Sequence, residues 1–304
     1  MAEEWLNVIP ELPNSASLEP SHKPLLDELL RRFPPRASEM TFTNLFAWGQ
    51  SHPVRLSRCG ETLLLWRGPR GSGVLLSPLG PLDQKGIELG LAWAEKMGGP
   101  SQFGRLAEDV AMALARTDPQ LTMTEDRDNA DYVYLREDLA QLSGRHFDGK
   151  RNLVKKFWRE VQAEYRPIDV ELAGECSLMQ DYWCDAKMCE ENPHLMDENL
   201  SVKRTLEHWG DLAVLGGAFL AGGEVIGFAV GEPLTRDVAV VHYEKADGKY
   251  PGIYQALNQE FCRRALADFT YVNREQDLGV EGLRKAKLSY RPHHLEMKYV
   301  VKRP

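Results

Sequence analysis

The amino-acid sequence predicts an α/β (α+β) protein of two domains, each with a mixed, mostly antiparallel sheet flanked by helices. The chain has 304 residues, and single domains commonly hold about 100–200 residues. Hydrophobic residues make up 43% of the chain, which is enough for two cores. Short apolar runs typical of strands alternate with segments of helical periodicity. We place the boundary near residue 145, which gives domains 1–145 and 146–304.

The first half predicts helices and short strands. A helix is expected at Leu25–Phe33, and Pro34 ends it because proline lacks an N–H. Val54–Arg58 and Thr62–Trp66 flank a Cys59-Gly60 turn and predict a hairpin. The remaining elements expected here are strands at Val74–Leu76, Leu121–Thr124 and Tyr132–Leu135, and helices at Ile87–Met97 and Arg105–Ala115.

The segment Gly149–Tyr165 predicts a basic, amphipathic linking helix. Leu153, Phe157 and Val161 recur at four-residue spacing, which places them on one stripe. Pro167 is expected to end this helix. A strand at Ile168–Leu172 and a helix at Ser177–Cys189 are expected to follow.

The last hundred residues carry the clearest pattern. Gly222-Gly223 predicts a tight hairpin turn, because glycine tolerates the positive φ that such turns need. The expected strands are Ala213–Leu220, Val225–Gly231, Val238–Lys245, Tyr271–Glu275 and His294–Val301, with helices starting at Ile253 and spanning Glu281–Ser289. The resulting order of hairpin, strand, helix, strand, helix and strand is that of the GNAT acyltransferase fold.

Composition and charge exclude several classes of protein. No apolar run approaches the ~20 residues that span a bilayer, and the acidic N-terminus lacks the features of a signal peptide. We therefore expect a cytoplasmic protein without a membrane span. Five cysteines, an odd number, argue against a disulfide framework, and their spacing lacks the C-x-x-C pairs of zinc sites. The net charge of −8 disfavours general polyanion binding but leaves room for a local basic patch.

Several motifs resemble a known family. These are the stretches Thr41–Phe46, Asn152–Phe157, His242–Asp247 and, above all, Tyr271–Pro292, which includes NREQDLGVEGLRKAKLSY. They resemble the bacterial family called DUF2156, which is similar to the C-terminal domain of phosphatidylglycerol lysyltransferase. The resemblance covers nearly the whole chain and is densest from Leu215 onward.

The resemblance implies two tandem GNAT-like domains, as in the lysyltransferases and the Fem-type peptidyltransferases. Those relatives move an aminoacyl group from aminoacyl-tRNA to an amine or a lipid hydroxyl. The lysyltransferases also carry a multi-span membrane region, which this sequence lacks. This difference counts against a lipid acceptor, and a small-molecule or peptide acceptor is expected. The segment Asp247–Tyr254 does not match the R/Q-x-x-G-x-G/A loop of GNAT enzymes that use acyl-CoA. No cofactor is expected beyond an aminoacyl-tRNA or acyl-CoA donor.

Two of the predicted strands carry the candidate catalytic residues. Period-two alternation places His242 and Glu244 on one face of their strand, and Asn273 and Glu275 on one face of theirs. If the strands are neighbours, the catalytic candidates Glu244, Glu275 and Asn273 converge at the strand ends. Paired carboxylates near a cation suit acid–base work. A salt-bridge network with Lys245, Arg274 and Arg284 explains the same residues equally well.

Basic residues supply the candidate substrate-binding groups. Arg284, Lys287 and Arg291 follow at helical spacing, with Tyr290 on an adjoining stripe. The other candidates are Lys245, Arg274, Asp277, Lys150, Arg151 and Asn152. A cation row suits a phosphate or carboxylate but is also the pattern of a solvated helix face, and Asp277 also suits an N-cap or Asx-turn.

The sequence thus leaves three functions open. The first is an aminoacyl- or acyltransferase with a carboxylate base and a basic helix that binds the aminoacyl-tRNA donor. It predicts an open cleft beside Glu244, Glu275 and Arg284. The second is a non-catalytic ligand- or RNA-binding protein in which the carboxylates are tied up in ion pairs. The third is an acyl-CoA-dependent N-acyltransferase. Fold alone does not choose among them.

Overall fold

A computed structural model of the chain describes residues 8–303. The first seven residues of the acidic N-terminus, which include Glu3 and Glu4, lie outside the described part. Contacts divide the chain into two compact units. The first holds residues up to 131, together with 276–279 and those from 296 onward. The second holds 132–275 and 280–295. The boundary that we expected near residue 145 therefore lies inside the second unit.

The first unit is built on one sheet. Its strands are β1 (Ala16–Ser17), β2 (Val54–Cys59), β3 (Thr62–Arg67), β4 (Val74–Leu75), β5 (Gln102–Ala107), β6 (Thr122–Glu125) and β14 (Lys298–Lys302), in the spatial order β1-β2-β3-β4-β5-β14-β6. Its helices are α1 (Lys23–Arg32), α2 (Phe42–Ala47), α3 (Gln84–Lys96) and α4 (Glu108–Thr117). The predicted β2–β3 hairpin is confirmed, with Arg58 opposite Leu63.

The second unit has a sheet of its own. Its strands are β7 (Asp131–Leu135), β8 (Ala163–Pro167), β9 (Leu215–Ala221), β10 (Glu224–Pro233), β11 (Val238–Ala246), β12 (Tyr271–Asn273) and β13 (His294–Glu296), in the order β13-β7-β12-β11-β10-β9-β8. Its helices are α5 (Arg136–Gln141), α6 (Asp148–Glu160), α7 (Val170–Ala186), α8 (Pro193–Glu207), α9 (Ile253–Arg264) and α10 (Glu281–Leu288). β11 and β12 are parallel, whereas β10 pairs with β9 and β11 antiparallel.

Helices cover both faces of this second sheet. Leu257 and Phe261 of α9 share one core cluster with Val241 of β11. Val202 of α8 shares another with Tyr243 of the same strand. Because both faces are buried, β10 is apolar throughout Val225–Gly231, the pattern expected of a strand that is covered on both sides.

The segment after α6 departs from prediction. The helix ends at Glu160, and Pro167 closes the edge strand β8, where a missing N–H is tolerated. The expected strand at Ile168–Leu172 is wrong, because Asp169 caps α7 by accepting a hydrogen bond from the backbone N–H of Leu172 at 2.9 Å. Helix α8 was missed, although Asn192 followed by Pro193 is a typical helix start.

One further strand prediction and one helix prediction need correction. The expected single strand His294–Val301 is two strands, β13 and β14, which belong to different sheets. The helix predicted from Arg105 begins only at Glu108, because Gln102–Ala107 pairs with β14. In both cases, pairing with strands that are distant in sequence determines the element. The local periodicity of the sequence carries no information about such pairing.

The cysteines also differ from expectation. Cys184 and Cys189 form a disulfide, which the argument against a disulfide framework did not anticipate. Cys176 and Cys262 are buried free thiols, and Cys59 is a half-buried one. Within residues 8–303, no helix combines the length and hydrophobicity needed to cross a membrane.

Candidate functional site in the second unit

A β-bulge at His242 organises the candidate site. Val230 and Gly231 of β10 are consecutive, but they pair with Tyr243 and Val241 of β11, so His242 is an extra residue. The extra residue shifts the alternation of side chains by one position. Val241 and Glu244 consequently both face α9, and the expectation that His242 and Glu244 share a face is wrong.

His242 lies between two carboxylates. Its Nδ1 is 2.8 Å from Oε1 of Glu275, and its Nε2 is 2.8 Å from Oε1 of Glu232. Burial acts to lower the pKa of His242, but the hydrogen bonds and charges of Glu232 and Glu275 outweigh burial and raise it to about 10. At neutral pH the ring is therefore an imidazolium that donates to both carboxylates.

The backbone of Glu275 is held in an uncommon conformation. Its φ is 56°, in the left-handed region that non-glycine residues seldom adopt. Asn273 Oδ1 accepts a hydrogen bond from the Glu275 N–H at 2.8 Å, and Lys287 Nζ donates to the Glu275 carbonyl at 3.2 Å. Tyr132 N–H donates to the same carbonyl at 3.2 Å. Strained backbone held by several partners is common at functional sites.

Glu244 and Arg274 form a buried ion pair on the face covered by α9. Glu244 Oε2 pairs with Arg274, and its Oε1 accepts a hydrogen bond from Asn258 at 3.0 Å. Burial acts to lower the pKa of Arg274, but the charge of Glu244 raises it, so the guanidinium stays charged. The guanidinium also packs 4.9 Å from the ring centroid of Tyr290 and 5.8 Å from that of Tyr134.

Two lysines lie beside this pair. Lys150 Nζ is 3.7 Å from the ring centroid of Tyr290 and donates to Ser289 Oγ at 2.8 Å. Burial, and then the charge of Arg274, lower the pKa of Lys150. Lys287 Nζ donates to the Arg274 carbonyl. Lys150 and Arg274 thus flank the Tyr290 ring, and Lys287 contacts the backbone of Arg274, so the three residues form one cationic cluster.

Lys245 lies on the opposite face of β11 from Glu244. Its Nζ is 2.7 Å from Glu198 Oε2 of α8 and 3.8 Å from the ring centroid of Trp183 of α7. Burial lowers the pKa of Lys245, and the charge of Glu198 acts against that shift. The three catalytic candidates meet only in part. Asn273 contacts the backbone of Glu275, but Glu244 pairs with Arg274 while Glu275 pairs with His242.

The remaining predicted residues are dispersed. Asp277 belongs to the first unit, where it accepts a hydrogen bond from the Gly279 N–H at 2.8 Å in an Asx-turn and pairs with Arg127 at 3.3 Å. Arg284 is half-buried on α10. Arg291 lies beyond the end of α10 with a φ of 53°, so it does not continue the predicted row. Arg151 pairs with Asp148, and Asn152 is exposed.

Sequence reasoning missed several partners. Glu232, Asn258, Trp183 and Glu198 were not singled out, although each contacts a predicted residue. Glu232 directly follows the apolar run of β10, which suggests that its carboxylate is buried. Because a buried carboxylate needs a partner, this position could have been predicted as part of the site. Glu198 was hidden because α8 itself was not predicted.

Two clefts of the described chain lie elsewhere. One, of about 500 Å³, belongs to the first unit and is lined by residues such as Phe33, Met40 and Val110. The other, of about 470 Å³, belongs to the second unit beside the Gly222-Gly223 turn. Neither is lined by Glu244, Glu275 or Arg284, so the open cleft expected beside these residues is neither of them.

Comparison with known proteins identifies the family. The family model described as phosphatidylglycerol lysyltransferase, C-terminal, matches residues 30–302. The chain belongs to this family. This confirms the resemblance seen in the sequence motifs. A curated relative, an uncharacterised protein of Mycoplasmoides gallisepticum, is 23% identical over 177 residues; the match covers 57% of this chain and 56% of the relative.

Solved structures show the same fold for this family member. A conserved protein of unknown function from Bacteroides thetaiotaomicron is 29% identical, with coverage of 95% of this chain and 99% of that chain and a TM-score of 0.86. L-PGS from Bacillus licheniformis is 16% identical, with coverage of 97% and 93% and a TM-score of 0.65. FemX is 9% identical, with coverage of 96% and 97% and a TM-score of 0.56.

These relatives confirm the predicted fold class of tandem GNAT-like domains with mixed sheets flanked by helices. The family match places the chain among proteins with the phosphatidylglycerol lysyltransferase C-terminal domain, and L-PGS and FemX share its fold.

Proposed function

We propose that this chain transfers an aminoacyl group from aminoacyl-tRNA to an amine or hydroxyl acceptor. The observation that carries the proposal is the cationic cluster of Lys150, Arg274 and Lys287: Lys150 and Arg274 flank the ring of Tyr290, and Lys287 donates to the carbonyls of Arg274 and Glu275. Cations beside an aromatic ring suit the phosphates and terminal base of an RNA strand. A carboxylate nearby suits proton transfer.

In the proposed reaction, the acceptor nitrogen or oxygen attacks the carbonyl carbon of the aminoacyl ester. A new C–N or C–O bond forms, and the bond from that carbon to the ribose oxygen breaks. Glu275 takes the proton that the acceptor loses and delivers it to the ribose oxygen as that oxygen leaves. The side chain of Glu275 is 19% exposed, so an acceptor can approach it from the surface.

The other residues support these steps. His242 holds the Glu275 carboxylate in place through its 2.8 Å hydrogen bond, and Asn273 holds the Glu275 backbone. Both oxygens of Glu244 are engaged, by Arg274 and Asn258, so Glu244 positions Arg274 and does not act as a base. Arg284 lies on α10 together with Lys287, and we assign both to donor phosphates.

A binding protein without catalysis is the second candidate. Glu244 and Glu275 are both engaged with cations, which is the arrangement that this alternative predicted. Transfer activity separates the two functions. A protein that binds tRNA but moves no aminoacyl group onto any acceptor supports the binding function alone.

The first experiment is a titration of the purified chain with mixed aminoacyl-tRNA and, separately, with acyl-CoA thioesters, each at two salt concentrations. We expect saturable tRNA binding that weakens with salt. Lys150→Ala reduces the slope of log affinity against log salt by about 1 if one phosphate contact is lost. Lys96→Ala, an exposed lysine of α3 in the first unit, is the control and leaves the slope unchanged.

Binding of acyl-CoA without tRNA would overturn the proposed donor and favour an N-acyltransferase. Transfer is then followed with a panel of amines and hydroxyl compounds as acceptors. Glu275→Gln is expected to lose transfer while keeping tRNA affinity. Full transfer activity in Glu275→Gln would remove Glu275 from the mechanism.

A further inference from the structure

We propose that Trp183 and Glu198 form a binding site for a primary alkylammonium group, and that Lys245 fills this site from within the chain. In doing so, Lys245 keeps cationic aminoacyl side chains out. This inference about donor specificity rests on the transferase function proposed above, whereas the ammonium site itself does not.

The contacts of Lys245 are those that proteins use to bind ammonium ligands. One side of Nζ meets the Trp183 ring at 3.8 Å, and another meets a Glu198 oxygen at 2.7 Å. An aromatic face and a carboxylate together stabilise a desolvated ammonium group. Only 4% of the Lys245 side chain is exposed, so these contacts replace the water that the ion has lost.

The site is held in place by its surroundings. Trp183 Nε1 donates to the Tyr254 hydroxyl at 3.1 Å, and that hydroxyl donates to the Ala246 carbonyl at 3.0 Å. The indole is thereby tied to β11 at the residue after Lys245. Glu198 projects from α8, which packs against α7 and carries Ser201 one turn further on.

The ammonium site lies close to the proposed base. His242, whose Nδ1 is 2.8 Å from Oε1 of Glu275, lies three residues before Lys245 on β11. Three residues of an extended strand span about 10 Å. The Lys245–Glu198 pair is therefore within reach of a side chain on an aminoacyl group held at Glu275.

A cationic side chain on the donor would need the carboxylate of Glu198 as its partner. It would meet the ammonium group of Lys245 there instead. Like charges brought together in a poorly hydrated site cost several kcal/mol in general, which is a common way to reject a wrong ligand. Neutral aminoacyl groups carry no such penalty. We therefore assign the preferred donor to the class of aminoacyl groups without a cationic side chain.

Binding of n-butylammonium to Lys245→Ala tests the site without any assay of activity. We expect saturable binding that changes Trp183 emission and raises the thermal midpoint, whereas 1-butanol, its neutral counterpart, does neither. The double variant Lys245→Ala/Trp183→Phe should lose the change in emission, which assigns the signal to Trp183 among the seven tryptophans of the chain. Adding Glu198→Gln should weaken butylammonium binding at least ~10-fold. The unaltered chain should not bind it, because Lys245 occupies the space.

A folded Lys245→Ala protein that does not respond to butylammonium overturns the proposed site. If Lys245→Ala is unstable, refolding with butylammonium should restore it and refolding with 1-butanol should not; equal failure with both also overturns the proposal. Lys245→Met fills the space without the charge and gives a folded comparison that should bind no butylammonium.

Transfer from lysyl-tRNA and alanyl-tRNA then tests specificity. Lys245→Ala should raise the lysyl-to-alanyl ratio at least ~10-fold, which corresponds to ~1.4 kcal/mol. Lys249→Ala removes a neighbouring exposed lysine and should leave the ratio unchanged. An unchanged ratio in Lys245→Ala overturns the specificity role. No transfer from either donor by the unaltered chain would remove the proposed function and leave the butylammonium result standing.

Discussion

Nδ1 of His242 lies 2.8 Å from Oε1 of Glu275. The other ring nitrogen meets Glu232 at the same distance, so one buried imidazolium is shared by two carboxylates. Neither partner is near His242 in sequence, and the bulge in β11 is what brings the ring to both. This relationship determines how the stability of the protein should respond to pH.

The free energy of unfolding should fall as pH rises from about 6.5 to about 10. The folded-state pKa of His242 is raised from 6.5 to about 10, so its stabilising contribution is full below 6.5 and lost as pH passes through 10. We expect His242→Gln to reduce the change in the free energy of unfolding over this pH range by at least ~1 kcal/mol. Urea unfolding at several pH values measures it. His146→Gln, an exposed histidine, is the control, and an equal pH slope in both variants would contradict the assignment.

Glu244→Gln should destabilise the protein by about 3–5 kcal/mol, because it leaves the buried Arg274 guanidinium without its counter-charge. Arg274→Met/Glu244→Gln should lose less than the sum of the two single variants, since no charge is then left unpaired. Denaturant unfolding of the four proteins gives the coupling energy. Additive losses would show that the pair does not act as a unit.

Lys298→Met should also destabilise by about 3–5 kcal/mol, because Lys298 Nζ is fully buried and pairs with Glu39 at 2.6 Å and Asp131 at 2.7 Å. Burial acts to raise the pKa of Glu39, but Lys298 and Arg105 lower it to about 2. The contribution of Glu39 to stability is therefore present above about pH 4.5 and is lost as the pH falls through about 2. Lys298→Met should shift the acid-unfolding midpoint upward, whereas Lys302→Met, at an exposed position, should not.

Gly252→Ala should destabilise the second unit by about 1–3 kcal/mol. Gly252 has a φ of 86°, and an added Cβ would lie 2.1 Å from the Leu153 carbonyl oxygen of α6. The substitution pushes α6 away from α9, so Lys150-dependent tRNA binding should weaken as well. Gly248→Ala is the matched control, because its Cβ meets nothing within 4 Å. Equal thermal midpoints for the two variants would show that this close approach does not matter.

Sequence periodicity predicted much of the second sheet. The hairpin at Gly222-Gly223, the strands on either side of it and the helix starting at Ile253 follow from apolar runs, a glycine turn and a helical stripe. The motif at Tyr271–Pro292 was sufficient to recognise the family, which the family match confirms. These features are local, because each depends on residues within a few turns of one another.

Partner choice was decided only by the tertiary structure. Alternation along β11 placed His242 with Glu244, but the bulge separates them, and no residue type in the sequence marks the extra position. Likewise, the last apolar run divides between two sheets because its halves pair with β7 and β5, which are far away in sequence. The sequence by itself determined the family, the order of most elements and which residues are polar. The long-range pairing of strands decided which of those polar groups meet, because a shift of one residue moves every following side chain to the other face.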